Sequence, residues 1–255
     1  MNECSITFLG HTTVWLKTSD ISLVIDPNFD KKMFYLRRLD DPSINTEDLH
    51  KVNCVLLSNA HHHRMNLDAL RYFKQTAQII LPMGLGRIIS RFHRFPINEL
   101  KNGAEMGIGS CQIIGLKPLH RGFRNCPLIP QNSLHYIIKL PTATVFYCSD
   151  TKYDGACFFD IGKNYNIDVA ILPIDHLNPD FIAGKRYMTP AEAVQAFKDL
   201  GAKKMIPNAF GSFNYHGRTF EKISETLSQE MTKQGVTSEV CLLRPGEKID
   251  LKLPT

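Results

Sequence analysis

The 255-residue chain has no CxxC pair, no stretch approaching the ~18 apolar residues of a membrane span, no Pro/Gly/Ser-rich linker and no repeat at a fixed short period. Each absence removes a class of protein. Seven scattered cysteines (Cys4, Cys54, Cys111, Cys126, Cys148, Cys157, Cys241) make neither a zinc ribbon nor a redox motif. Their odd number in so long a chain also argues against a disulfide framework, so buried or idle thiols are expected. Without a long apolar run, nothing is expected to cross a membrane. Met1-Asn2-Glu3-Cys4 leads straight into a strand-like segment with no basic or apolar leader, and a cytoplasmic protein is the expectation. Charge of one sign is scarce too. The balance of 30 Lys+Arg against 25 Asp+Glu leaves +5, too thin for nucleic-acid binding and compatible with an anionic substrate or surface.

What is present reads as one globular unit. Hydrophobic residues make up 43% and charged residues 22%, which excludes a disordered or collagenous chain. No shift in composition divides it, so residues 1–255 are expected to form a single domain. Short β-branched runs bounded by Gly, Pro, Asp or Asn predict strands at Ser5–Leu9, Thr13–Lys17, Leu23–Ile25, Cys54–Leu57, Gln78–Leu81 and Cys111–Leu116. Further strands are predicted at His135–Leu140, Thr144–Cys148, Val169–Leu172, Lys204–Ile206 and Glu239–Leu243. The first three look like a meander. Helical spacing appears in Leu67–Gln75, Gly84–Phe92, Pro190–Leu200 and Phe220–Gln234. Thr189 before Pro190, with Glu192 next, is a good helix start, and Gly201 a good stop. The fold class is α/β, with more strand than helix. Lys31-Lys32-Met33-Phe34-Tyr35-Leu36-Arg37-Arg38 is the one basic–aromatic stretch; it suits a solvated loop with packed aromatics, or a membrane surface or acidic substrate.

Ten histidines are many for this composition, and His61, His62 and His63 are consecutive. They follow the apolar run Cys54–Leu57, so a strand is expected to deliver nitrogen ligands into a loop. In an extended segment His61 and His63 would point one way and His62 the other. Two imidazoles at a strand end are half of a zinc, iron or manganese site. A second strand run, Ile113 to Leu116, leads to His120, and a third, Val145 to Cys148, leads to Asp150. A fourth ends in the amide of Asn208. Three strand ends that each present His or Asp make a metal cup credible.

The order of motifs resembles the metallo-β-lactamase superfamily, within it the branch of N-acyl-phosphatidylethanolamine-hydrolysing phospholipase D and the lactonase-like bacterial hydrolases. Gly10-His11-Thr12-Thr13, Asp26-Pro27, Ser149-Asp150-Thr151, Leu172-Pro173-Ile174 and Met188-Thr189-Pro190-Ala191-Glu192-Ala193 carry it, over roughly residues 5 to 215. The resemblance implies a four-layer αββα sandwich with the site at one edge. It also implies where ligands should stand. The superfamily's His-x-His-x-Asp-His falls on Asn59, His61, His63 and Arg64; its next histidine is His120, its bridging aspartate Asp150 and its last histidine Asn208. His11 and Asp26 fall beneath the cup as scaffolding.

These departures set the functional expectation. Arg64 puts a permanent cation beside the cup, where it would pair with Asp150 or bind an anionic group, so two metal ions are not expected there. One divalent ion, zinc before iron or manganese, could be held by His61, His63, His120 and Asp150, unless the histidines only hydrogen-bond locally. His63 and Asp150 would be catalytic, and Arg64, Asn59 and Asn208 would meet an anionic small-molecule or lipid-like substrate. The expected protein is a metal-dependent hydrolase of an ester or phosphodiester; the alternative is a non-catalytic relative that binds an anionic ligand in the old cup. No nucleic acid is expected as partner, and membrane contact would be peripheral at most. His93, His135, His176 and His216 read as surface or packing residues.

Overall fold

A computed structural model describes residues 4–119, 122, 124, 131–174, 187–213 and 219–251. The strands are β1 (Ser5–Gly10), β2 (Thr13–Lys17), β3 (Ser22–Ile25), β4 (Lys32–Met33), β5 (Leu36–Arg37), β6 (Cys54–Leu56), β7 (Gln78–Pro82) and β8 (Ile97–Leu100). They continue with β9 (Glu105–Ile108), β10 (Cys111–Leu116), β11 (His135–Lys139), β12 (Thr144–Tyr147), β13 (Val169–Pro173), β14 (Lys204–Asn208) and β15 (Lys248–Asp250). One sheet has the order β15-β1-β2-β3-β6-β7-β8 and the other β14-β13-β12-β11-β10-β9; β4 and β5 form a separate hairpin.

Three apolar layers hold this together. Ile6, Val14, Leu23 and Leu56 of the first sheet pack against Ile113, Tyr136, Ile138 and Val145 of the second, as period-two alternation requires. The outer face of the second sheet, with Ile137, Phe146 and Ala170, is covered by α3 (Gly155–Asn164), α4 (Pro190–Asp199) and α5 (Phe220–Gln234) through Phe158, Val194, Phe197 and Leu227. The outer face of the first, with Val24, Val55 and Ile79, is covered only by short pieces: α1 (Thr46–Leu49), a 3₁₀ turn at Ala69–Tyr72 and α2 (Gly86–Ile89). The αββα sandwich is therefore lopsided.

The expected meander is there: β1, β2 and β3 pair antiparallel in sequence order. The capping box of Thr189 and Glu192 forms as the sequence suggests, with Pro190 in the first turn. Three expectations need correction. The run Glu239–Leu243 makes only an isolated bridge from Val240 to Met205. Leu67–Gln75 and Gly84–Phe92 shrink to single turns, since each needs only Leu70 or Ile89 to plug the sheet face. The helix α3 is not among the predicted helices; Asp154 caps it by accepting from the Cys157 amide, and Phe158 and Ile161 anchor it.

Strand direction places the site. β3, β6 and β7 run parallel, as do β12, β13 and β14, so Asp26, the loop after Leu56, Asp150 and Asn208 all follow carboxyl ends of strands. Loops at that edge are the usual home of a binding site in parallel sheets.

Candidate active site

At the edge where the two sheets meet lies a buried polar cluster centred on Arg64, whose side chain is 0% exposed. Its Nε donates to Asp150 Oδ1 at 2.5 Å, and its Nη1 to Asp26 Oδ2 and the Tyr147 hydroxyl, both at 2.9 Å. Asp26 also accepts from the Ser58 amide at 2.7 Å and the Ser58 hydroxyl at 2.6 Å. The single proton of Tyr147 is divided between Asp26 Oδ2, 2.8 Å away, and the Thr12 carbonyl, 2.9 Å away. A second tyrosine, Tyr136, donates to the Leu57 carbonyl at 2.7 Å, so two hydroxyls from one sheet stitch it to strand ends of the other. Alternation in Val145-Phe146-Tyr147 directs Tyr147 inward, a signal that sequence reasoning passed over.

Burial alone would discharge these groups, and the ion pairs decide otherwise. Burial opposes the charge on Arg64, but Asp150, Tyr147 and Asp26 outweigh it and hold the guanidinium firmly protonated. Burial also opposes the charge on Asp150, yet Arg64 and then His63 pull its carboxyl well below the usual range. Asp26 differs: burial pushes its carboxyl up against the pull of Arg64.

The other oxygen of Asp150 faces the histidines. Oδ2 lies 3.1 Å from His63 Nε2, 3.9 Å from His61 Nε2 and 3.0 Å from the amide nitrogen of Asn59. The rings of His61 and His63 stack with centroids 5.5 Å apart and planes 14° from parallel, while His62 is exposed and meets Phe34 edge-on. The expected convergence of His61 and His63 is present, for a different reason. The amides of Arg64 and Met65 both bond the His61 carbonyl, so the segment is a helical turn and not an extended strand end. The same turn swings Arg64 under the cup.

Asn59 spends its amide inside the protein. Its nitrogen donates to Asp150 and to the Ser149 hydroxyl, and its oxygen accepts from the His61 amide. Asn208 sits otherwise: it is fully buried, and neither amide atom has a partner among the described residues. The same is true of both ring nitrogens of His11 and of Arg64 Nη2. Burial, then the charges of His63, Arg38 and Arg64, push the His11 pKa well down and keep the ring neutral. The amide of Ala209 donates to the His11 carbonyl at 2.8 Å, which brings His11 and Asn208 to one side of the cup. His11, Asp26 and Ala209 all have left-handed backbone, with φ of 52°, 44° and 64°; strain of this kind in residues with a Cβ gathers at functional sites. His120 lies outside the described residues, as do His176 and His216.

The donor chemistry can be tested against a metal. Two ions do not fit, because the guanidinium of Arg64 occupies one side of Asp150 and repels a dication. For one ion, the separations of 3.1 and 3.9 Å from Asp150 Oδ2 to the two Nε2 atoms bracket the about 3.3 Å edge of a tetrahedron built on ordinary zinc bond lengths. These two separations are compatible with a shared ion. As they stand, no group of three His, Cys, Asp or Glu side chains among the described residues could hold a metal ion. No helix among those residues is long and apolar enough to cross a membrane.

Comparison with known proteins agrees with this architecture. A protein named metal-dependent hydrolase in Desulforamulus reducens is 28% identical over 249 residues, covering 95% of this chain and 97% of its own length. One of the same name in Korarchaeum cryptofilum is 25% identical, covering 96% and 99%. Among solved structures, the metallo hydrolase Igni18 of Ignicoccus hospitalis superposes with a TM-score of 0.74 at 19% identity, over 99% of this chain and 100% of that one. An isothiocyanate hydrolase from Delia radicum gut bacteria gives 0.79 at 16%, over 96% and 98%. The family model of the β-lactamase superfamily domain matches residues 22–208, most of the chain, and this protein belongs to that superfamily.

Proposed function

We propose that the protein is a metal-dependent hydrolase of an ester or phosphodiester, with an altered site that takes a single divalent ion. The observation that carries this reading is Asp150 Oδ2, one carboxylate oxygen set between the Nε2 atoms of His61 and His63. The relatives' names support the hydrolytic class. His61, His63 and Asp150 would hold the ion together with His120, with zinc ahead of iron or manganese because neutral imidazole and carboxylate suit it. Bound there, the ion would supply Lewis-acid polarisation and a water of lowered pKa.

The chain's own residues do the rest. If His61, Asp150 and His120 hold the ion without His63, the Nε2 proton of His63 is held by Asp150 and its Nδ1 lone pair is that of a general base. Arg64 fixes the rotamer of Asp150 and keeps it ionised, and Asn59 fixes its other oxygen. Asn208, with donor and acceptor both unspent, is the group best able to hold a substrate oxygen or an attacking water. The proposed substrate is an anionic small molecule or lipid, with recognition resting on Asn208 and not on Arg64, whose charge Asp26 and Asp150 offset.

Metal analysis of the purified protein, refolded in excess zinc, iron or manganese, tests the reading. About one equivalent that falls below a tenth in Asp150→Asn supports it; less than a tenth in the parent protein overturns it. Hydrolysis of p-nitrophenyl esters and bis-p-nitrophenyl phosphate, abolished in His61→Ala, is the second arm.

The guanidinium of Arg64, which repels a dication from Asp150, and the unspent polar atoms of Asn208 favour a second reading, in which the cup binds an anionic ligand without turnover. A thermal shift with phosphate or acetate in chelator-treated protein, with no hydrolysis under any metal, would select it.

A further inference from the structure

Away from the cup, the hairpin β4–β5 exposes an unusual tip. Phe34 is 76% and Tyr35 82% exposed, although folding normally covers side chains of this size. Phe34 also has a φ of 54°, a left-handed conformation that is strained for an aromatic residue. Both features act against folding, so they point to a task that the isolated chain does not complete. Across a cleft of about 560 Å³, lined by Lys32, Phe34 and His62 on one side, stands Phe92, 66% exposed. Cations surround these rings. Lys31, Lys32 and Arg37 flank the tip, and Arg91 and Arg94 flank Phe92; all five are exposed. The nearby acids are largely spent: Asp68 pairs with Arg71 at 3.2 Å, and Asp30 is held by the amide of Asn66.

We propose that this face docks on an anionic phospholipid surface, with Phe34, Tyr35 and Phe92 entering the headgroup boundary and the flanking lysines and arginines resting on lipid phosphates. Charge complementarity selects the occupant. Exposed aromatics within a cationic ring match the apolar-plus-anionic layering of such a membrane, whereas a neutral protein partner has no use for five cations. The hairpin touches the ligand loop through the Phe34–His62 contact, 5.7 Å between ring centroids, so docking would turn the cleft beside the cup toward the lipid. The inference stands apart from the hydrolase reading, because binding is read without turnover.

Vesicle co-sedimentation tests it, with phosphatidylcholine alone and with about a third phosphatidylglycerol. The full chain should bind the anionic vesicles, bind neutral ones at least roughly tenfold more weakly, and release at high salt. Lys31→Glu with Lys32→Glu and Arg37→Glu should weaken binding about a hundredfold or more, from the cost per cation at such a surface. Phe34→Ala with Tyr35→Ala and Phe92→Ala should weaken it at least roughly tenfold while leaving the circular dichroism unchanged. Equal binding to neutral vesicles, no binding to either, or full binding by the charge-reversed variant would overturn the proposal. So would equal affinity for a monomeric short-chain phosphatidylglycerol, since the cleft alone would then be the site.

Discussion

The two sides of the cup solve the problem of buried polarity in opposite ways. On the Arg64 side nearly every donor and acceptor is matched: Asp26 and Asp150 share one guanidinium, and Asn59, Ser58 and Tyr147 take up the remaining bonds. On the other side, the side chains of His11 and Asn208 lie equally deep, and their polar atoms have no hydrogen-bond partner among the described residues. Both sides carry a substitution at a position where the resemblance expects a ligand histidine, Asn59 on the first and Asn208 on the second. The first is a closed ionic structure, and the second has open valences. A group that must meet a ligand belongs on the second side; a group that must hold the cup together belongs on the first.

The sharpest way to break this contrast is to remove the central cation. Arg64→Leu leaves two buried carboxylates facing each other, and the loss of one partner from a buried ion pair typically costs about 3–5 kcal/mol. Against a total stability of roughly 5–15 kcal/mol, that is a large share. Urea unfolding should show it as a fall in midpoint at unchanged slope. A loss under about 1 kcal/mol would mean that solvent or a rearranged side chain replaces Arg64 readily, and the first side would not be the closed structure described.

Acid should be the next strongest probe. Burial, then the charge of Arg64, pushes His135 down to about 3, and its Nδ1 already accepts from the Ser149 amide. His11 is depressed as well. A histidine whose folded pKa lies below its unfolded value is neutral in the fold, so its contribution is complete above about pH 6.5 and declines as pH falls below that. Each such group costs roughly 1.4 kcal/mol per pH unit over that interval. The depressed Asp150 acts in the same direction at lower pH, because protonating it breaks the bond to Arg64. Stability should therefore decline from about pH 6.5 downward, and His135→Gln should flatten the slope by about one proton. A slope in the parent that begins only near pH 4 would contradict the neutral histidines.

Much of this was legible in the residues. The strand runs, the helix Phe220–Gln234 and the capped helix at Thr189 follow from local rules of periodicity and capping, which need no partner. The place of the cup was readable as an ordered set of strand ends, since Asp26, Asp150 and Asn208 each close a strand-like run. Of the partners only one was: the motif register set Arg64 beside Asp150, and the two do pair. That Arg64 would also bind Asp26, 38 positions away, depends on a turn at His61 and on the closure of two sheets, neither of which is local. Tyr147 was missed for the same reason. Its hydroxyl finds Asp26 only when the sandwich is complete.

The smallest effect separates the two asparagines. Asn59→Ala removes bonds to Asp150, Ser149 and the His61 amide at once, all buried, and should cost about 1–3 kcal/mol. Asn208→Ala removes an amide that makes no side-chain bond among the described residues, so the fold should lose little. Deleting an unsatisfied buried amide can even offset the small cavity it leaves. Parallel unfolding curves for the two variants read the difference directly, and equal losses would show that Asn208 is paired in solution. Any defect of Asn208→Ala should appear instead in KM for a hydrolysed ester or in the affinity for a bound anion, at unchanged stability. That split, with one asparagine moving the unfolding midpoint and the other moving ligand affinity, is what an asymmetric cup requires.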